Sequence, residues 1–545
     1  MRNAKCFVQM LLLSILFFSC SKDQDYTIDT SSLSGSLNLS QPQILSVDDS
    51  GISLRFYIEN NNDAIKEYGV VWYLTENKEL RQNCVEAFQG RPQKKEVSLK
   101  IKNGLPKSQL IYIRAYAKIN GEVHYGQFVS VYSKGGNSPV IKSVLPENPK
   151  LTQQIKIEGE GFVNTQNSEY LRVLVNKFEI KPDSVTEKSI YFTLPSEYIE
   201  SYNFNYNMTI GLKVFGKEYN YEKEYKFASP WKKIDLPTDF SSFAFKRGTA
   251  TVLNNKAYVL IGKQYNKMFV YDILNNQWTT IDYPGKPEQS FGGPHINCYN
   301  FTANNKIYSI IDDVLYSKSE SSSWQEVTKY PGNKEITIGP FQYFYKGDLY
   351  KGNFDVNYYP IHIPGRGRIF YKYNINSGVW TELTPIPNNG GGIYNYFVFV
   401  YDNNLNFGTI RGNEAYDFSK NLRIWSYSID GDNWSWNFNN GDNADYPTTD
   451  NLNTVVSFTI NDQIFMGLGE NHDDWPEYCS NKLWKFNPKT RYWDMISRCP
   501  DKVNVSATFI YNNKAYILGT EQDEAFSDKE LKRKKFFYEF DPSLI

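Results

Sequence analysis

The chain has 545 residues, a formal net charge of −1 and 16% aromatic residues, among them 42 Tyr, 35 Phe and 11 Trp. A near-neutral charge argues against nucleic-acid partners, which are bound by concentrated positive patches. So much Tyr, Phe and Trp favours pleated, half-buried surfaces, and the length calls for several domains.

The N-terminus sets the expected compartment. Arg2 and Lys5 precede a run from Phe7 to Phe18 that is apolar apart from Gln9 and Ser14. That run is too short to cross a hydrocarbon core of about 30 Å, but it has the layout of a secretory signal. Leu16-Phe17-Phe18-Ser19-Cys20 resembles a bacterial lipobox, which implies a signal peptide over residues 1–19 and acylation of Cys20. Losing residues 1–19 removes Arg2 and Lys5 and no acid, so the mature chain would carry −3. Ser21-Lys22-Asp23-Gln24-Asp25 is similar to the surface-export tag of some Gram-negative outer-membrane lipoproteins. The resemblance implies a protein lipid-anchored in the outer membrane, facing the cell surface, with residues 20–38 as its tether.

Short alternating runs then begin. Ile52–Ile58, Tyr68–Tyr73, Leu110–Ala117 and Val123–Gly126 alternate with period two and are broken by turn residues, which predicts a β-sandwich over residues 39–134. The Tyr68-Gly69-Val70-Val71-Trp72 and Tyr112-Ile113-Arg114-Ala115-Tyr116-Ala117 pieces resemble the fibronectin type III-like modules of exported bacterial proteins, with Trp72 in the core. Gly135-Gly136-Asn137-Ser138 reads as a linker. Pro139–Pro146, Ile155–Phe162, Val173–Asn176 and Ser189–Pro195 resemble, in that order, the IPT/TIG immunoglobulin-like fold over residues 138–228. The sequence departs from that family at Leu151-Thr152-Gln153, where a glycine is usual. The resemblance implies a spacer module.

From residue 229 a repeat takes over. An apolar strand, an aromatic strand ending in Asp or Asn, and a Trp strand recur. Ala257–Gly262 leads to Phe269–Asp272 and Trp278, and Lys306–Ile310 leads to Leu315-Tyr316 and Trp324. The same series continues to Trp380, Trp434 and Trp493, at spacings between 46 residues (Trp278 to Trp324) and 59 (Trp434 to Trp493). The sixth unit, Lys514–Gly519 and Phe537–Pro542, has no Trp strand, whereas Trp231-Lys232-Lys233-Ile234-Asp235-Leu236-Pro237 has no unit. A ring leaves no open edge only if the two ends join. The expected fold is therefore all-β: two immunoglobulin-like β-sandwiches followed by a six-bladed β-propeller over residues 229–545, closed by its N-terminal strand. The period resembles kelch repeats, although the kelch Gly-Gly doublet keeps one glycine at Gly262, Gly352 and Gly519. Each repeated Trp is expected to wedge one blade against the next.

Candidate ligand residues sit in the excursions between second and third strands: Tyr358, Tyr359, His362, Arg366 and Arg368; then Arg411, Glu414 and Tyr416; then Glu470, His472, Asp473 and Trp475. Aromatic faces beside Arg, Asn and carboxylates suit sugar rings, so glycan capture or adhesion to an envelope protein partner is the expected function, without a cofactor. The resemblance to kelch-type propellers implies one alternative. Sialic-acid epimerases of that kind need no metal and use polar acid/base groups, which Arg366, Arg411, Glu414, Glu470 and His472 could supply for a free sugar. Copper ligation of the galactose-oxidase kind is disfavoured by only four histidines, and no Cys/His spacing suits zinc. Cys479 and Cys499 flank a turn expected at Asn487-Pro488-Lys489-Thr490 symmetrically, so a disulfide or two free thiols both fit.

Overall fold

The computed structural model describes residues 37–59, 64–75, 79–201, 204–237, 248–261, 267–284, 298–311, 313–332, 340–353, 369–385, 396–409, 423–439, 456–471, 478–487, 492–521 and 534–545. Cys20 and the tether to residue 36 lie outside them. No helix among the described residues is long and apolar enough to cross a membrane.

The first sandwich packs two sheets. In one, Gly51–Glu59 pairs with Gln43–Asp48 and Glu96–Ile101; in the other the order is Cys84–Gln89, Ile65–Tyr73, Leu110–Ile119, Glu122–Tyr132. Period-two burial drives this: Ile52, Leu54 and Phe56 are buried while Arg55 and Tyr57 turn outward. Trp72 is buried in the core, as expected.

The linker is not loose. The Asn137 N–H donates to Lys102 O, and Asn137 O accepts from the Gly104 N–H. A Cβ on Gly136 would lie 2.5 Å from Lys102 O, so only glycine allows this approach. The second sandwich pairs Ile155–Glu160 with Val140–Leu145 and Ser189–Phe192, and Leu171–Val175 with Phe178–Ile180 and Ile210–Val214. At Leu151-Thr152-Gln153 the turn closes without glycine: the Gln153 N–H donates to Lys150 O and Leu151 is buried.

Six four-stranded antiparallel sheets follow. Blade one is Thr249–Leu253, Lys256–Leu260, Lys267–Asp272 and Gln277–Asp282. Blades two to five repeat the order from Cys298–Ala303, Pro340–Tyr345, Tyr396–Tyr401 and Val456–Ile460 as first strands. Blade six takes Asn504–Tyr511, Lys514–Thr520 and Lys535–Phe540 from the C-terminal end, and its outer strand is Trp231–Lys233. Trp231 lies opposite Phe540, Lys232 opposite Glu539 and Lys233 opposite Tyr538. The ring is thus shut by the strand the repeat count required.

The tryptophans act between blades. The Trp278 ring meets Phe537 of blade six, Trp324 Nε1 donates to Asp282 O of blade one, and Trp434 Nε1 donates to Thr384 O just past blade three. Trp231 Nε1 donates to Ser497 Oγ of blade five at 2.7 Å. Each therefore grips the preceding blade.

The head is docked on the second sandwich. Arg498 donates to the backbone carbonyls of Ile199 and Glu200, and Tyr206 OH shares a hydrogen bond with the buried Ser497 hydroxyl. One continuous cluster of buried side chains runs from both sandwiches into blades four to six.

Of the two alternatives for Cys479 and Cys499, the structure has the one without a disulfide at Cys499, which is a buried free thiol. Blade five pairs Asn487 with Tyr492 through Trp484 with Met495, then slips by one residue so that Lys482 faces Arg498. The Cys499 N–H consequently donates to Asn481 O, and the backbone of Cys479 pairs instead with Glu470 on the other side. A β-bulge breaks the symmetry about the turn on which the pairing depended.

Candidate functional site

An antiparallel blade sends its 1–2 and 3–4 turns to one face of the ring, and its 2–3 connection and exit to the next blade to the other. On the first face the chain turns tightly. Two residues join first and second strands in all six blades, as between Leu253 and Lys256 or Tyr511 and Lys514. Paired residues in the left-handed region, such as Asn304 (φ 46°) with Asn305 (φ 56°) and Asn512 (φ 48°) with Asn513 (φ 59°), make these turns. The opposite face carries the long connections, sixteen residues between Asn353 and Phe370 and sixteen between Asn439 and Val456.

The candidate residues belong to three connections on that second face. Tyr358, Tyr359, His362, Arg366 and Arg368 follow the second strand of blade three; Arg411, Glu414 and Tyr416 follow that of blade four; His472, Asp473 and Trp475 follow that of blade five. All eleven lie outside the described residues. Glu470 has a backbone place, near the end of Gln463–Asn471.

What the structure does describe is the floor beneath this face, and it contains residues that sequence reasoning passed over. Aligning the fourth residue of each second strand gives Val259, Ser309, Lys351, Phe407, Met466 and Ile517. Four fill apolar core and two are polar. Both polar positions are covered by the tyrosine before a proline in the preceding blade's exit, at Tyr283-Pro284 and Tyr330-Pro331.

Between blades one and two, Tyr283 OH and Ser309 Oγ lie 2.5 Å apart and Ser309 donates to Asn300 Oδ1 at 2.7 Å. All three residues are buried, and the hydroxyls are satisfied within the chain while Asn300 Nδ2 has no hydrogen-bond partner among the described residues.

Between blades two and three the arrangement is charged. Lys351 is 2% exposed, and its Nζ lies 3.4 Å from Asp313 Oδ1. The Tyr330 ring covers the ammonium at 4.8 Å from its centroid, a cation–π contact. The Tyr330 N–H donates to Asp313 O at 2.7 Å, so one residue fixes the other. Burial, followed by the nearby Tyr371, Asp313 and Glu382, pushes the Tyr330 hydroxyl well above the usual phenol range. Lys351 stands two residues before the connection that carries Tyr358 to Arg368, and Asp313 stands in the 2–3 connection of blade two. The cluster anchors the base of the face with neutralised charge.

Among the described residues no group of three or more His, Cys, Asp or Glu could hold a metal ion. The aligned sequence held one signal for this floor, polar residues at an otherwise apolar repeat position.

Residues 139–222 match the IPT/TIG domain family, in agreement with the expectation for residues 138–228. No curated protein matches the chain. Among solved structures it is similar to YjhT, at 12% identity and a TM-score of 0.40, over 57% of this chain and 96% of that one. It is also similar to a structural genomics protein of unknown function from Bacteroides thetaiotaomicron, at 11% identity and a TM-score of 0.36, over 74% and 98% of the two chains. An auxiliary nutrient binding protein from the same organism aligns at 12% identity and a TM-score of 0.33, over 74% and 98%.

Proposed function

We propose that the chain is an exported lipoprotein, anchored through Cys20 and facing the cell surface, whose propeller captures a glycan on the face that bears its long connections. One observation carries the reading: no connection on one face of the ring is longer than the six residues between Lys318 and Gln325, and the connections of thirteen to sixteen residues all lie on the other. Long connections on a rigid scaffold are where binding residues concentrate. Their composition suits sugars, because Tyr358, Tyr359, Tyr416 and Trp475 offer apolar ring faces beside Arg366, Arg368, Arg411, Glu414 and Asp473. The two sandwiches then serve to hold this face away from the membrane.

The test is an array of polysaccharides probed with the chain from Ser21 onward. Retention of a defined glycan without product formation supports the reading. Retention of an envelope protein and no glycan would move it to adhesion, and turnover of a free sugar lost in R411A or E470Q would replace it by the epimerase alternative. Anchoring is read separately, as fatty acid on the peptide beginning at Cys20 and its loss in C20S.

A further inference from the structure

The first sandwich has a sheet edge that is only half covered. Cys84–Gln89 is the outer strand of its sheet and pairs on one side alone, with Ile65–Tyr73. On its other side the Val85 N–H donates to Asn164 O at 3.0 Å, and the Gln166 N–H donates to Arg81 O at 2.7 Å. Residues 164–166 of the second sandwich therefore lie along the start of this edge and run antiparallel to it. Backbone groups of a strand point alternately to its two sides, so Ala87 and Gln89 turn their N–H and C=O the same way as Val85. Residues 164–166 stop short of them, and no backbone group among the described residues bonds there.

A cleft of about 560 Å³ opens at this point, within the range of about 300–1,000 Å³ usual for ligand sites. The first sandwich contributes Arg81, Ala87 and Gln89 to its walls, and the second contributes Asn164, Val185 and Lys188. Val185 belongs to Ser184–Val185, itself the edge strand of its sheet. The two faces of the open edge differ. On the face of Ala87 and Gln89, the Arg81 guanidinium and the Gln89 amide both donate to the buried Glu67 carboxylate at 3.3 Å. On the opposite face Phe88 is 40% exposed and stacks on Tyr68 with ring centroids 5.3 Å apart.

We propose that this slot takes an extended peptide segment of a partner protein, which adds as a strand to the open edge and continues the line begun by residues 164–166. Main-chain bonds to Ala87 and Gln89 supply the affinity. The unlike faces supply the selectivity, because side chains of the added strand alternate: apolar ones over Phe88, polar ones beside Arg81 and Gln89. The chain's own N-terminal stretch enters elsewhere. Its Gln41 side chain donates to Phe128 O of Glu122–Tyr132, the opposite edge of the same sheet, so the occupant comes from outside. The site is separate from the propeller face and does not depend on what that face binds.

The test pans a phage-displayed library of random peptides against the chain from Ser21 onward. Retained peptides should alternate apolar and polar residues. Made synthetically, they should protect the Ala87 and Gln89 amides from hydrogen exchange, which exchange freely in the chain alone, and leave Ile113 and Val173 as they were. Ala87→Pro removes an N–H that has no partner among the described residues, and proline is tolerated on an edge strand at such a position. It should keep the fold and any glycan retention, and weaken the peptides by about tenfold or more. N-methylation of one alternate set of peptide residues, which leaves the protein untouched, should weaken binding likewise, and of the other set should not. The proposal is overturned if the library yields no peptide that protects those two amides. It is equally overturned if neither A87P nor either methylated set weakens binding. Protection of Ala87 and Gln89 in the chain from Ser21, lost in one beginning at Leu37, would give the slot to the tether and overturn it too.

Discussion

Replacing Trp231 by alanine should unlatch the ring. The side chain is 6% exposed and packs on Tyr538 and Phe540 at centroid distances of 6.0 and 4.8 Å. Truncating a buried Trp to Ala costs about 3–5 kcal/mol. Its Nε1 also donates to Ser497 Oγ, which is itself fully buried. Tyr206 OH remains as a partner for that hydroxyl, so the lost bond adds only about 1 kcal/mol. The sum is about 4–6 kcal/mol, applied to a closure of three paired residues plus the Ile234 N–H donating to Phe537 O. W231F keeps the ring packing, loses the indole bond and should cost about 1–2 kcal/mol. Urea unfolding followed by Trp fluorescence gives the overall loss. Exchange of the amides in Lys535–Phe540 shows whether it begins at the latch. If W231A lies within 1 kcal/mol of wild type, or leaves those amides as protected as before, the closing strand is not what holds the ring.

Further outcomes follow from particular contacts. Removing Asp313 takes away the carboxylate that faces the buried Lys351 ammonium, so D313A should cost about 3–5 kcal/mol in urea melts, whereas D313N combined with K351M, which removes both charges and keeps the volumes, should cost much less. Asp432 accepts from the Thr384 N–H and Tyr427 OH. Desolvation raises its pKa, but these bonds outweigh it and hold the carboxyl below the ordinary Asp value of 3.8. Its contribution is present above that value and lost as pH falls through the lowered one, so the stability gap between wild type and D432N should close on acidification below pH 4. Cys499 should resist alkylation in the folded chain and react after unfolding without reductant, as measured by mass; a mass 2 Da low before reduction would restore the disulfide.

The architecture was legible because it is periodic. Spaced Trp strands counted the blades, and the leftover Trp231 strand named its own partner, since an unpaired edge in a ring has one place to go. Local irregularities were not legible. The one-residue slip between Leu483 and Trp484 that separates Cys479 from Cys499 has no composition of its own. Gly135-Gly136 reads as a flexible linker, although Gly136 is there for close approach to Lys102. The floor of the long-connection face was half visible. Ser309 and Lys351 stand out once the strands are aligned, but their partners Tyr283 and Tyr330 come from neighbouring blades, which one strand's pattern cannot supply. The candidate residues from Tyr358 to Trp475 were chosen by composition and connection length, and only the second has a structural counterpart.

The most direct measurement of the account is a hydrogen-exchange footprint of the mature chain with and without the polysaccharide it retains best on the array. Protection should gather in residues 354–368, 410–422 and 472–477, leaving the two-residue turns of the other face and both sandwiches unchanged. Protection on the tight-turn face or on the sandwiches instead would contradict it.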